Sequence, residues 1–455
     1  MSSATFVRPS LAALVLLLLA APSRADTLKV PAEFGTIQLA VDAAVAGDVV
    51  LVSKGTYEEN VLVTTAGIAL RGKNAVIDGH YEGTCLLVQA SDVEVSNFTL
   101  ANGGGPLSVG AQPGDGGLVG GLHVVGTGAL ISKVKVLACE DFGILLEGTG
   151  VVENCEVDAC VGTGLAVETG NVLGEIVTEV VKNEVKRCVQ GIVLEDGPFL
   201  VERNTVEANA DGGLQVIIPP PVVEGVPQAL PTTISKNTCR GNAEAGLFVF
   251  KGTGPALSID KNVVEDNGLG LDLTGSLIDV TNCSIDRNLV GGAFLNTTQG
   301  SFVKNKVRGN GFSGVIVRSA GSSGDGDGED GGNLIDGNLV QDNGGDGVHS
   351  ESNSNVISGN ILKNNLGDGV HLIAGGVFGN QVVGNTVTGN GHDGIDNSAS
   401  GTLISGNVCK DNGGSDLAGA GSGSGTTDPA SADNVSKDGT GLGTLGALDL
   451  DTTLV

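Results

Sequence analysis

Near the end of the chain His349, His371 and Asp396 follow one another at intervals of 22 and 25 residues, and an aspartate stands three positions before each: Asp346, Asp368 and Asp393. What these groups can do depends on whether the intervals bring them together. If each interval is one turn of a regular repeat, the first-named aspartates form a column with carboxylates about 5 Å apart, a spacing that raises at least one pKa or recruits a cation. Imidazoles beside that column are candidate bases for β-elimination or epimerisation of a uronate. The plainer reading treats G-D-G as turn chemistry and the outward histidines as solvated.

Two further acidic sets have cation-binding character. Glu147, Glu168 and Glu195 fall at one outward position of three successive phrases, where stacked carboxylates would chelate Ca²⁺. Between Gly324 and Gly332 the stretch GDGDGEDGG sets Asp325, Asp327 and Glu329 at alternate positions, like part of an oxygen-rich Ca²⁺ loop. It lacks the bidentate glutamate at the far end, so it reads first as a flexible acidic insertion and second as a metal loop.

The elements that must position these groups are repeats. VERNTVEAN, ISKNTCRGN, IDKNVVEDN, FVKNKVRGN, IDGNLVQDN, ISGNILKNN, VVGNTVTGN and ISGNVCKDN recur between Val201 and Asn412, with closing asparagines mostly 21 to 25 residues apart. A period near 22 with short alternating stretches, glycines and asparagines is the mark of a β-solenoid, here an all-β parallel β-helix of about 14 coils over residues 61–412. Asparagines at the corners tolerate left-handed geometry and can hydrogen-bond coil to coil. One ladder runs through Asn183, Asn204, Asn237, Asn262, Asn305, Asn338, Asn360, Asn385 and Asn407. A second runs through Asn209, Asn242, Asn267, Asn288, Asn310, Asn343, Asn365, Asn390 and Asn412.

Cysteines take ladder slots as well, Cys155 and Cys283 in the first and Cys139, Cys160 and Cys188 in the second, while Cys239 and Cys409 face inward. They read as small core-filling thiols, with a stacked disulfide such as Cys139 to Cys160 as the minority alternative. After each second-ladder residue comes a glycine-led strand (GILLEG, GLAVET, GIVLED, GLFVF, GVIVRS, GVHSES, GVHLIA) whose inward and outward residues alternate. Its outward position is apolar at Leu145, Ala166, Val193, Phe248, Phe294 and Ile316, a strip that insertions or a second copy of the chain would cover.

Residues 1–25 carry Arg8, an apolar run and small residues before a cleavage point, and read as a signal peptide. Residues 26–60 form an N-terminal cap, with Phe34, Ile37, Ala40, Val41 and Ala44 at helical spacing. Residues 413–455 form a Gly/Ser-rich tail with ALDLDTTLV as a candidate last strand. The expected location is secreted, periplasmic or cell-surface, without membrane insertion. With 52 acidic against 24 basic residues and a net charge of −28, nucleic acid and anionic lipid are excluded as partners. An acidic polysaccharide would need a bridging cation such as Ca²⁺.

VPAEFGTIQLAVDAAVAGDVVLVSKGTYEENV, followed by repeated N-x-V-x-x-N and G-x-G-V phrases, resembles the pectin-lyase-like superfamily in its parallel-β-helix-repeat branch, over roughly residues 29–412. The resemblance implies a right-handed parallel β-helix. It leaves activity open, because that superfamily spans lyases, hydrolases, esterases, epimerases, metal-delivery accessories and proteins without known activity. The QDTL, DFIFG and DPH phrases of its enzymes are absent, and Gly391, His392 and Asp393 are the nearest to a GHG phrase. No functional residue carries over.

Three readings follow. The first is polysaccharide binding on the glycine-led face with uronate lyase or epimerase chemistry at His349 and His371; the scarcity of Tyr and Trp counts against it. The second is a noncatalytic structural or adhesion solenoid whose rigid length, about 65 Å, is the function. The third is a periplasmic metal-delivery accessory, poorly supported by 1 methionine and 5 histidines.

Overall fold

A computed structural model describes residues 25–105, 119–170, 176–220, 230–252, 254–318, 331–373, 377–419 and 435–436. The expected signal peptide and the ALDLDTTLV strand therefore lie outside the described residues, apart from Ala25. So do Asp325, Asp327 and Glu329 of the acidic insertion.

Most coils are built from short strands because the alternation of residue types mostly lasts three to six residues before a glycine or asparagine breaks it. In one coil these are Val315–Arg318, Leu334–Asp336 and Leu339–Gln341. In the second and third of these the central residue points inward and its neighbours outward, as the buried Ile335 and Val340 show. Equivalent residues then stack: Val307, Val340, Leu362, Val387 and Cys409 are in parallel register on successive coils, all buried. Burying each such aliphatic side chain stabilises by roughly 1.5–3 kcal/mol, an upper range.

Two sheets result. Among the described residues, the face that carries the glycine-led strands makes one of 15 strands, from Val61–Val63 to Leu417–Ala418, and the other two faces join into one of 30 strands. The stack has about 16 turns rather than 14. The difference lies at the start, where Thr27–Val30 pairs with Val49–Val52 and that strand with Ala69–Asp78, so the segment expected to be a separate cap already contributes rungs. The expected helix is Ile37–Ala43, with Thr36 Oγ1 accepting the Leu39 amide as N-cap. Within the tail, Val435–Ser436 pairs with Val408–Lys410.

Both ladders run as continuous hydrogen-bonded columns. Asn360 Oδ1 accepts the backbone amide and the Nδ2 of Asn338, both at 2.9 Å. Its own Nδ2 donates to Asn385 Oδ1 and to the Ile335 carbonyl, again at 2.9 Å. The left-handed residue of each corner is not the ladder asparagine but the one before it: Lys304 (φ 57) before Asn305, Asp342 (φ 57) before Asn343, Asn364 (φ 54) before Asn365. This corrects the expectation of left-handed ladder asparagines. The ladder asparagine follows that residue and is buried, with its amide bonded along the stack. All eight cysteines are buried thiols, and Cys155, Cys188 and Cys283 fill ladder slots where their amides donate to Asn183, Asn209 and Asn305.

Candidate functional site

On the 15-stranded sheet the outward residue of every glycine-led strand falls into one column. His349 pairs in register with His371 and His371 with Asp396, on the strands Val348–Ser350, Val370–Leu372 and Ile395–Asn397. The two imidazoles meet edge to face, centroids 4.9 Å apart. Asp346 stands between them: its Oδ2 is 2.9 Å from His349 Nδ1 and 3.3 Å from His371 Nδ1. Asp368 Oδ2 lies 3.7 Å from His371 Nδ1, Asp396 Oδ2 lies 3.8 Å from His371 Nε2, and Glu351 Oε1 lies 3.2 Å from His349 Nε2.

The three turn aspartates have a second task. Asp346 Oδ1 accepts the Asp368 amide at 2.8 Å, Asp368 Oδ1 accepts the Asp393 amide at 2.7 Å, and Asp393 Oδ1 accepts the Ser415 amide. One oxygen of each thus caps the next turn, while Asp346 and Asp368 keep the other toward the histidines. Asp393 makes no such approach to an imidazole among the contacts described, so the structure gathers five of the six expected residues, with Asp393 extending the column structurally.

The electrostatics follow from crowding. Burial pushes Asp346 up, but hydrogen bonds from His349, His371 and the Asp368 amide together outweigh it and hold this carboxyl far below the usual range. Burial and the Asp346 charge push Asp368 up, against the Asp393 amide. Hydrogen bonding to Asp346 raises His371, against burial. The arrangement is a carboxylate kept ionised between two imidazoles, beside a carboxyl whose pKa is raised.

Glu147, Glu168 and Glu195 are also in register on consecutive coils. Burial and then the charges of Glu195 and Glu147 push Glu168 up. Among the described residues, however, the clusters whose ligand atoms all close within 4.8 Å are Asp346–His349–His371 and Asp368–His371–Asp396, and the glutamates form none. Glu147 instead turns to His123, its Oε1 3.0 Å from a buried Nε2 whose partner Nδ1 has no hydrogen bond. Of the apolar strip, Leu145 and Ile316 are buried and Phe248 and Phe294 half-buried, with the Arg318 guanidinium 5.6 Å over the Phe294 ring.

The sequence reading missed a cleft in the middle of this face. Gln190, Asp211, Gln215, Glu244, Phe248, Asp272 and Val290 line a space of about 520 Å³. Gln215 and Asp272 belong to the same outward column as His349, flanking Phe248 in register. The signal was available in GLQV and GLDL, which follow the same glycine-led phrase. A hydrogen bond and repulsion from Asp211 push Glu244 up, and burial pushes Asp272 up.

The family model described as "Right handed beta helix region" matches residues 53–217, 223–387 and 327–409. The chain belongs to this right-handed β-helix family. No curated protein matches the sequence. Among solved structures, the A-module of the Azotobacter vinelandii mannuronan C-5 epimerase AlgE6 is similar at 17% identity, covering 82% of this chain and 93% of that one, with a TM-score of 0.42. The periplasmic alginate epimerase AlgG is similar at 14% identity over 86% of this chain and 76% of that one (TM-score 0.32), and pectate lyase Pel9A at 12% over 70% and 73% (TM-score 0.33). The right-handed parallel β-helix that the sequence resemblance implied is the fold observed.

What the β-helix supplies to the site is close approach. A Cβ on Gly369, the glycine leading the His371 strand, would lie 2.2 Å from Val387 Cγ1 and 2.5 Å from the Gly394 carbonyl oxygen. Only glycine lets the chain fold back tightly enough to lay Val370 inward and His371 outward. The β-helix coil then fixes His349 and His371 one rung apart with no loop between them.

Proposed function

We propose that this protein is exported and binds a uronate-containing polysaccharide along the outward column of its 15-stranded sheet, with β-elimination or epimerisation at the histidine end. The observation that carries the reading is the continuity of that column, from Gln215, Phe248 and Asp272 in the cleft to His349 and His371 over Asp346. A linear polymer suits a linear strip that offers an aromatic face, amides and then a proton-transfer group. Asp346, held ionised, orients the imidazoles as a carboxylate orients a catalytic histidine. His371 would take the proton α to the uronate carboxyl. Elimination then expels the oxygen at the β-carbon as the double bond forms, whereas epimerisation returns a proton to the opposite face.

A panel of uronate polysaccharides tests this, assayed for unsaturated products by absorbance and for proton exchange at the α-carbon. Turnover is expected, with His371→Ala lowering it by about 10²–10⁴-fold, the usual contribution of a general base. Absence of product on every substrate, together with unchanged glycan binding by His349→Ala and His371→Ala, would defeat the reading. The second reading, a rigid noncatalytic solenoid, draws on the turn-capping role of the same aspartates and on the position of the two tyrosines, Tyr57 in a strand of the other sheet and Tyr81 near the N-terminal end.

A further inference from the structure

The histidine cluster has the geometry of a metal site as well as that of an acid–base site. Asp346 Oδ2, His349 Nδ1 and His371 Nδ1 converge, with edges of 2.9 and 3.3 Å from the carboxylate to the two rings, and a ligand atom from each residue lies within 4.8 Å of the others. Ligands about 2.1 Å from one divalent ion stand roughly 3.0–3.4 Å apart at octahedral or tetrahedral angles. The 3.3 Å edge falls within that range and the 2.9 Å edge just below its octahedral end.

The surroundings of the rings point the same way. Each ring's far nitrogen faces a further carboxylate: His349 Nε2 that of Glu351 at 3.2 Å, His371 Nε2 that of Asp396 at 3.8 Å. Metal-ligating histidines are held in this manner, one nitrogen on the ion and the other donating to a carboxylate that fixes ring and tautomer. Glu351 is itself anchored by Arg318 at 3.2 Å, and Asp346 by the Asp368 amide on its other oxygen. A doubly protonated imidazole can serve carboxylates at both its nitrogens, whereas a neutral ring has one N–H. An ion on the Nδ1 side would let the neutral ring keep that N–H on Nε2, toward Glu351 or Asp396.

We propose that Asp346, His349 and His371 bind a divalent transition-metal ion of the Zn²⁺ class, with Glu351 and Asp396 orienting the two rings. Two imidazoles and one carboxylate favour zinc, copper, nickel or iron over the Ca²⁺ expected of an all-carboxylate site. Three protein ligands leave a position open to an oxygen ligand such as a carboxylate. The inference stands on ligand geometry and does not need the glycan reading. The ion would take the Nδ1 that faces Asp346, whereas the base of the glycan reading is the ring's other nitrogen, so metal binding can succeed where turnover fails, and the reverse.

Isothermal titration of Zn²⁺ into the full chain, stripped with EDTA and dialysed, tests it without any sugar present. One site per chain is expected. His349→Ala and His371→Ala should each weaken it by more than 100-fold, and Glu351→Gln by about 10-fold or more, the usual effect of removing an orienting partner. Glu168→Gln should leave the affinity unchanged. With Cu²⁺ as the probe, electron paramagnetic resonance should show two coordinated nitrogens in the wild type and one in His371→Asn, which keeps a polar side chain on the strand. Zn²⁺ affinity equal in the wild type and both histidine variants, or a Cu²⁺ spectrum with oxygen ligands alone, overturns the proposal.

Discussion

Asp272 sits half-buried on the outward column between Phe248 and Phe294, and burial alone pushes its carboxyl above the ordinary range. A carboxyl whose folded pKa is raised binds its proton more tightly in the native state than in the unfolded chain. Its contribution to stability is therefore full below the ordinary value of 3.8 and is lost as pH rises through the folded value. Above its folded pKa the ionised group is a cost to stability. Asp272→Asn should raise the melting temperature at pH 8, lose that gain as the pH falls through the folded pKa toward 3.8, and weaken glycan binding at pH 8. Calorimetric melts across the pH series check the first two; a gain of equal size at pH 3 would show that the substitution acts through packing rather than charge. The histidine end of the column was readable because two rare residues stand one coil apart. Gln215 and Asp272 went unread because the outward positions were sorted by hydropathy, which made Phe248 and Phe294 a strip and hid the polar residues interleaved with them.

At the scale of the coil, the asparagine ladder is the element that turns sequence periodicity into structure. Asn360 uses its carboxamide fully, accepting twice from Asn338 and donating to Asn385 and to the Ile335 carbonyl. Asn360→Ala would leave the buried Asn338 amide without an acceptor. The expected loss is about 2–4 kcal/mol, since an orphaned buried group costs its desolvation on top of the bond. Gln341→Ala, on the outside of the strand Leu339–Gln341 one coil earlier, should stay within about 0.5 kcal/mol. Urea denaturation midpoints distinguish the two, and equal losses would mean that the ladder stabilises no more than a surface amide does. Two ladders were legible because their phrase repeats. A third, Asn333 to Asn355 to Asn380, follows the same rule five residues ahead of the first ladder but lasts only three coils, with Thr297 beginning it. The left-handed corner residue was misplaced by one position because lysine, aspartate, asparagine and glycine all occupy it, so residue type alone gives no signal there.

For the whole molecule, the fold was legible because one register decides everything: a residue's place in its coil fixes its face, its depth and its neighbours above and below. What that register cannot supply is the balance of charge. Basic residues are spent largely on the 30-stranded sheet, where Arg287 reaches Glu265 and Asp266 and Arg308 reaches Asp286 on the preceding coil. The opposite face is left rich in carboxylates, and the chain as a whole carries −28. Self-repulsion of that size destabilises a compact state. Raising NaCl shortens the screening length from about 30 Å at 0.01 M to about 3 Å at 1 M, and the melting temperature should rise over that range in the wild type and in His371→Ala alike. Micromolar Zn²⁺ adds almost nothing to ionic strength, so a further rise on adding it must come from binding to the native state. That second increment should be present in the wild type and absent in His371→Ala. If both proteins gain equally from Zn²⁺, the ion is neutralising the acidic surface at large and the column of the 15-stranded sheet holds no special place for it.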